Sequence, residues 1–223
     1  LNSGTVLASV SDGGSVTPIG GTALVHAEAL GGNLTQLAGH TAIADATGGT
    51  NPTNAIVELT ADDQVNVAGT VTAAARGAGV VSALAHIHEH IGGAVGAVNV
   101  LGATISATAA DFGTPGPGAR SATLEIISEQ GGVVVNGATT LATSAITTTG
   151  SAFATGTVRG TGGVVNFATD LTVLASAGSF ASALVDMDAG TGIVGSANLR
   201  ADAVETGAGS ALARVHVDTA AGN

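Results

Sequence analysis

The sequence predicts an all-β chain wound as a parallel β-solenoid, or β-helix, of about seven coils. Three observations carry this. A short segment opening with a small polar residue and Ala recurs seven times at near-constant spacing. Between recurrences the chain alternates apolar and polar residues with period two, the pattern of strands rather than helices. The apolar residues are also small: there are 35 glycines, four Phe as the only aromatics, and no Cys, Trp or Tyr. A core of Ala and Val must be narrow, because small side chains cannot fill a wide interior at native density.

The recurring segments are "TALVHAE" from Thr22, "NAIVELT" from Asn54, "SALAHIH" from Ser82, "SATLEII" from Ser121, "SAFATGT" from Ser151, "SALVDMD" from Ser182 and "SALARVH" from Ser210. Their starts lie 32, 28, 39, 30, 31 and 28 residues apart. The long interval contains "DFGTPGPGAR", residues 111–120, whose Pro and Gly mark an inserted loop. Further strand signals follow in each repeat, as in "VNVAGTVTAAA" from Val65, "VVVNGATTLATSA" from Val133 and "VVNFATDLTVLASA" from Val164. Each is an apolar alternation, a Gly or Ala turn, then another alternation, with β-branched residues throughout. Two or three short strands per repeat, stacked on equivalent strands about 4.8 Å away, give a solenoid. A β-sandwich is the alternative; it requires hairpins, and aligned columns at a near-constant repeat favour stacking.

The chain reads as one domain, residues 1–223. Residues 1–21, with "GTVLASVS", form an incomplete N-terminal coil; residues 22–209 hold the repeats; residues 210–223 form an incomplete C-terminal coil. The two partial coils together make about one repeat, so the C-terminal part of one copy is expected to meet the N-terminal part of the next. That contact is head-to-tail and does not close, giving a homopolymer. The start at Leu1, with no charged leader, reads as a mature or trimmed product.

Composition excludes several functions. A net charge of −11 opposes nucleic-acid phosphates and anionic membranes. Without cysteine there is no disulfide scaffold and no thiolate site. Residues 130–158 carry no charge, but their Thr, Ser, Asn and Gly are unsuited to a transmembrane helix, and no membrane insertion is expected.

The repeat texture, quoted above, resembles the repeat regions of large secreted bacterial surface proteins: filamentous-haemagglutinin-like adhesins and autotransporter passengers. The resemblance covers residues 22–223. It implies a right-handed β-helix, an extracellular or cell-surface location, and a structural or adhesive role. The expected partners are further copies of the chain and, for an adhesin, cell-surface or matrix glycans.

Within the aligned segments, position two is Ala throughout, and positions four and six are apolar and inward. Position five is polar and outward: His26, Glu58, His86, Glu125, Thr155, Asp186 and Arg214. This column is expected to be a charge ladder, with His86 between Glu58 and Glu125, Arg214 beside Asp186, and His216 beside Asp188. Such cross-strand pairs contribute a few tenths to about 1 kcal/mol. Position three should also point outward, yet it is apolar: Leu24, Ile56, Leu84, Thr123, Phe153, Leu184 and Leu212. Either the chain bends so that this column faces inward at a corner, or the column is an exposed ridge suited to lateral association.

The same columns bear on metal binding and catalysis. His86 and His88, with Glu58 or Glu125, have a sound ligand spacing on a strand, but the ladder explains them without metal. Asp186 and Asp188 in "DMDAGTG" suggest calcium, with too few further oxygens. No cofactor is expected. No paired glycosidase carboxylates, nucleophile elbow or phosphate loop appears, and sugar-stacking Trp and Tyr are absent, so no enzyme is expected. An ice-binding array would need an unbroken column; the candidate runs Thr72, Ser106, Ala142, Thr172 and is broken by Arg200. The leading expectation is a structural, self-assembling fibre or stalk subunit. An adhesin acting through the inserted loop is the alternative.

Overall fold

A computed structural model of the chain describes residues 4–11, 21–91 and 96–220. Strand β1 (Thr5–Ser11) precedes six turns of three strands each. The first turn is β2 (Gly21–Ala29), β3 (Asn33–Gln36) and β4 (Thr41–Thr47). The second is β5 (Thr53–Ala61), β6 (Gln64–Val67) and β7 (Thr70–Gly77), and the third is β8 (Val81–Glu89), β9 (Ala97–Leu101) and β10 (Thr104–Asp111). The fourth is β11 (Arg120–Ser128), β12 (Gly132–Asn136) and β13 (Thr140–Ile146). The fifth is β14 (Ser151–Gly160), β15 (Val164–Phe167) and β16 (Leu171–Ala177). The sixth is β17 (Phe180–Ala189), β18 (Gly192–Val194) and β19 (Leu199–Glu205), and β20 (Ser210–Thr219) opens the next level.

Every strand pair is parallel, and each strand pairs with its equivalent one turn away. Three sheets result. Sheet A is β1-β4-β7-β10-β13-β16-β19, sheet B is β2-β5-β8-β11-β14-β17-β20, and sheet C is β18-β15-β12-β9-β6-β3. There is no helix among the described residues. The protein is therefore a parallel β-solenoid, as the repeats predict. The uncharged stretch from 130 falls into β12, β13 and β14. Within the N-terminal part-coil, "GTVLASVS" gives β1; residues 12–20 and 221–223 lie outside the described residues. The inserted segment joins β10 to β11 through residues 112–119.

The core is one narrow file. Inward positions of sheet B are Ala23, Ala55, Ala83, Ala122, Ala154 and Ala183 in one column, all buried. Sheet A answers with Ala42, Ala73 and Ala107, and sheet C closes the third side with valines such as Val65, Val98 and Val133. Alanine on facing sheets lets two backbones approach closely; valine suits the pleated surface where more volume is needed. At the corners between sheets C and A the chain reverses through left-handed glycines, Gly102 (φ 68°) and Gly137 (φ 76°), a conformation that costs other residues a clash at Cβ.

The register corrects two details of the expected alignment. Ser121 pairs with Phe153, not Ser151, and Ser182 pairs with Leu212, not Ser210. Each is a two-residue slip, which preserves the in–out alternation. Both slips keep the Ala column intact, because "AFA" (152–154) and "ALA" (211–213) offer Ala twice. Core volume decides between the two registers. In β14 the slip places Val158 rather than Gly156 opposite Ile126. Gly156 instead falls where an added Cβ would lie 2.8 Å from a Val173 methyl, so sheet A already fills that space. In β20 the slip sets Val215 and Val217 against Val185 and Met187.

The position-three column thus runs Leu24, Ile56, Leu84, Thr123, Thr155, Leu184, Arg214. Phe153 and Leu212 leave it for the neighbouring outward column. The inward-corner reading is wrong. Leu24 is 50% exposed while Ala23 and Val25 on either side are 1% and 3% exposed. Leu24, Ile56 and Leu84 form a three-turn outward ridge; Phe153 and Phe180 form a second apolar patch, with ring centroids 5.8 Å apart.

Opposite directions for neighbouring side chains give a sharp expectation. Leu84→Asp should cost at most about 2 kcal/mol, the loss of two cross-strand contacts. Ala85→Asp, one residue on, buries a charge without a partner and should unfold the central turns. Thermal melts followed by far-ultraviolet circular dichroism check both; equal loss of stability would contradict the assigned faces.

Candidate functional site

The outward face of sheet B concentrates the titratable groups, because alternate positions of its strands carry them and parallel stacking brings them level. Glu58, His86 and Glu125 are register partners on β5, β8 and β11. His86 Nδ1 lies 2.8 Å from Glu125 Oε2. Glu58 turns the other way, its Oε2 lying 3.0 Å from His26 Nδ1. The ladder is therefore made of discrete pairs, His26 with Glu58 and His86 with Glu125, rather than a continuous chain.

At the C-terminal end the register slip rearranges the expected partners. His216 stands beside Asp186, with Nδ1 2.8 Å from Oδ1, and not beside Asp188. Arg214 pairs in register with Leu184 instead of Asp186, and Thr157 replaces Thr155 in the ladder column. Arg159 supplies the missing cation: its guanidinium lies 3.6 Å from Asp186 and 3.4 Å from Asp188. Arg159 thus engages both aspartates, and His216 is hydrogen-bonded to Asp186.

The four candidate metal ligands are not one cluster. His86 and Glu125 form one pair and Glu58 belongs to another, while His88 turns to Glu129, Nε2 to Oε1 at 3.1 Å. Glu129 follows the end of β11, one turn away from His90. The rings of His88 and His90 have centroids 4.1 Å apart. His88, His90 and Glu129 each bring one ligand-type atom within 4.8 Å of the others. Burial, reinforced by His90 and His86, holds the His88 imidazole below its ordinary range, against the pull of Glu129. Glu125 is held below the ordinary carboxylate range mainly by its hydrogen bond with His86.

Two buried charged residues escaped the sequence reading. Arg120 occupies an inward position at the start of β11 and is fully buried. Its Nε donates to Asp111 Oδ1 at 2.9 Å, and its guanidinium also donates to the carbonyls of Gly77, Gly79 and Gly118. It thus ties both ends of the inserted loop to the turn below, with its donors satisfied as burial demands. Glu89 is also fully buried. Its Oε2 accepts from Ser128 Oγ (2.8 Å) and from the backbone N–H groups of Glu129 and Gln130 (3.0 and 3.2 Å). The available signal was a charge at an inward position of the repeat, Arg120 where Val81 and Ala152 are its neighbours, and Glu89 where Ala61 is.

On sheet A the column Thr72, Ser106, Ala142, Thr172, Arg200 is in register as read, and Ala142 and Arg200 interrupt its hydroxyls. No known protein family, curated protein or solved structure matches the chain.

The Glu125 carboxylate favours the folded state because its charged form is better stabilised there than in the unfolded chain. That contribution is full above the ordinary value of 4.5 and is lost as pH falls through the lower folded value. Glu125→Gln should therefore lower stability at pH 7 and flatten the decline below pH 4.5. Urea unfolding from pH 7 to pH 3 measures this; a decline as steep in the variant as in the parent would contradict it.

Proposed function

We propose that this chain is a segment of a structural rod, of the kind that builds an extracellular fibre or a cell-surface stalk. One observation carries the reading: each turn presents its neighbours with the same backbone register and the same narrow core. Such a stack has length as its main variable, and it sets distance and stiffness rather than enclosing a substrate. The cysteine-free, acidic composition fits an oxidising exterior. The resemblance to secreted surface-protein repeats points the same way.

The partner in this reading is a second copy. The last strand, β20, keeps the outward and inward columns of the interior strands. Val217, inward in register opposite Met187, is 51% exposed. A further coil laid on β20 would cover it and pair the open strand edge. Seven strands in sheet B at about 4.8 Å each give an axial rise of about 34 Å per copy.

A second reading, a glycan-binding adhesin module, rests on the inserted loop, which Arg120 anchors at both ends. A fixed loop on a rigid stack is a common way to present a binding surface.

Electron microscopy of the concentrated chain separates the two. The rod reading expects filaments with an axial repeat near 34 Å. Val217→Asp should abolish them while leaving the monomer folded, because this side chain is buried only on stacking. Dispersed monomers that bind a glycan array through residues 112–119 would favour the adhesin.

A further inference from the structure

We propose that His88, His90 and Glu129 form a binding site for a divalent transition-metal ion, with Zn²⁺ as the best-suited ion. The site shares only His88 with the ligand set that sequence spacing suggests, and it goes beyond the structural role proposed above. Alternate positions put His88 and His90 on the same outward side of the chain as β8 ends at Glu89. Ser128, the register partner of Glu89, ends β11, so Glu129 arrives beside them from the next turn.

The distances fit. A tetrahedral zinc with bonds of about 2.0–2.1 Å holds its donor atoms about 3.3 Å apart. His88 Nε2 and Glu129 Oε1 are already 3.1 Å apart, and all three donors lie within 4.8 Å of one another. Closing the remaining gap, at most roughly 1.5 Å, needs a side-chain adjustment at His90, which lies just past the strand end. Two imidazoles and one carboxylate suit zinc, copper or nickel, whereas calcium and magnesium call for an all-oxygen set.

The surroundings support the site. Glu129 Oε2 accepts from the backbone N–H of Ile91 at 3.2 Å, which orients the carboxylate from its far side. The His88 side chain is only 12% exposed. Its register partner Thr60 is 5% exposed, and the Thr60 hydroxyl has no hydrogen-bond partner among the described residues, leaving an unused polar atom in the same column. The pairs His26–Glu58, His86–Glu125 and His216–Asp186 each offer one imidazole and one carboxylate, while the His88 site adds a second imidazole. Three protein donors leave a fourth position for water or an outside ligand.

The test is a calorimetric titration of the chelator-stripped chain with zinc chloride. The expected result is one saturable site per chain with a micromolar dissociation constant, weakened at least about tenfold by His90→Ala and by Glu129→Gln. His86→Ala should leave it within about twofold, since His86 is committed to Glu125. Circular dichroism should be the same before and after stripping, because the apolar core is continuous beneath β8, and the same in each variant. His90→Gln, which keeps side-chain bulk, serves should His90→Ala disturb the fold. No saturable binding up to about 1 mM zinc, or a site unaffected by both the His90 and Glu129 changes, would overturn the proposal.

Discussion

The parallel hydrogen-bonded ladder between successive turns is the constraint on which the rest depends. It places each residue level with its equivalent one turn away, so a choice made in one repeat becomes a column through the molecule. Inward columns then have to be apolar and narrow, and here they are mostly Ala and Val, with Leu, Ile and Met where more volume is needed. Outward columns have to tolerate their own neighbours, and here Glu58, Glu125 and Asp186 stand beside histidines or arginines. Glycine enters where the chain must turn a corner without a Cβ, as at Gly102 and Gly137.

This constraint explains what was legible in the sequence. The seven recurring segments and the alternation within them are expressions of stacking, and each segment falls in a strand of sheet B; the inserted segment is narrower than its sequence signal, since Asp111 belongs to β10 and Arg120 to β11. The level of Glu58, His86 and Glu125 could be read as well, although β8 also offers Ala twice, at Ala83 and Ala85. The register of β14 and β20 could not. "AFA" and "ALA" satisfy the Ala column in two ways, and only the volume supplied by Val158 and by Leu171 and Val173 across the core chooses between them. From the β20 slip follow the wrong partners for Arg214 and His216 and the wrong column for Leu212, and from the β14 slip the wrong column for Phe153.

Residues that break the repeat were the least legible and are the most informative. Arg120 sits at an inward position where neighbouring turns have Val and Ala, Glu89 at one where they have Ala and Ser, and each is answered by backbone groups of an adjacent turn. They act where the solenoid departs from regularity, at the inserted loop and at the turn after β11. The histidine segment is similar. His86 fits the ladder, whereas His88 and His90 gather around Glu129, a residue outside the recurring segment that no column alignment would include.

Because the chain has no cysteine, its register can be read directly with engineered pairs. Thr123 and Thr155 are level in adjacent strands, so their Cα atoms are about 4.8 Å apart, within disulfide reach. Thr123 and Phe153 are offset by two residues, which puts them about 8 Å apart and out of reach. The stacked register described here predicts that Thr123→Cys with Thr155→Cys oxidises readily to an intramolecular disulfide, and that Thr123→Cys with Phe153→Cys does not. The reverse result would show the strands slipped by two residues. Failure of both pairs would contradict the parallel stack itself.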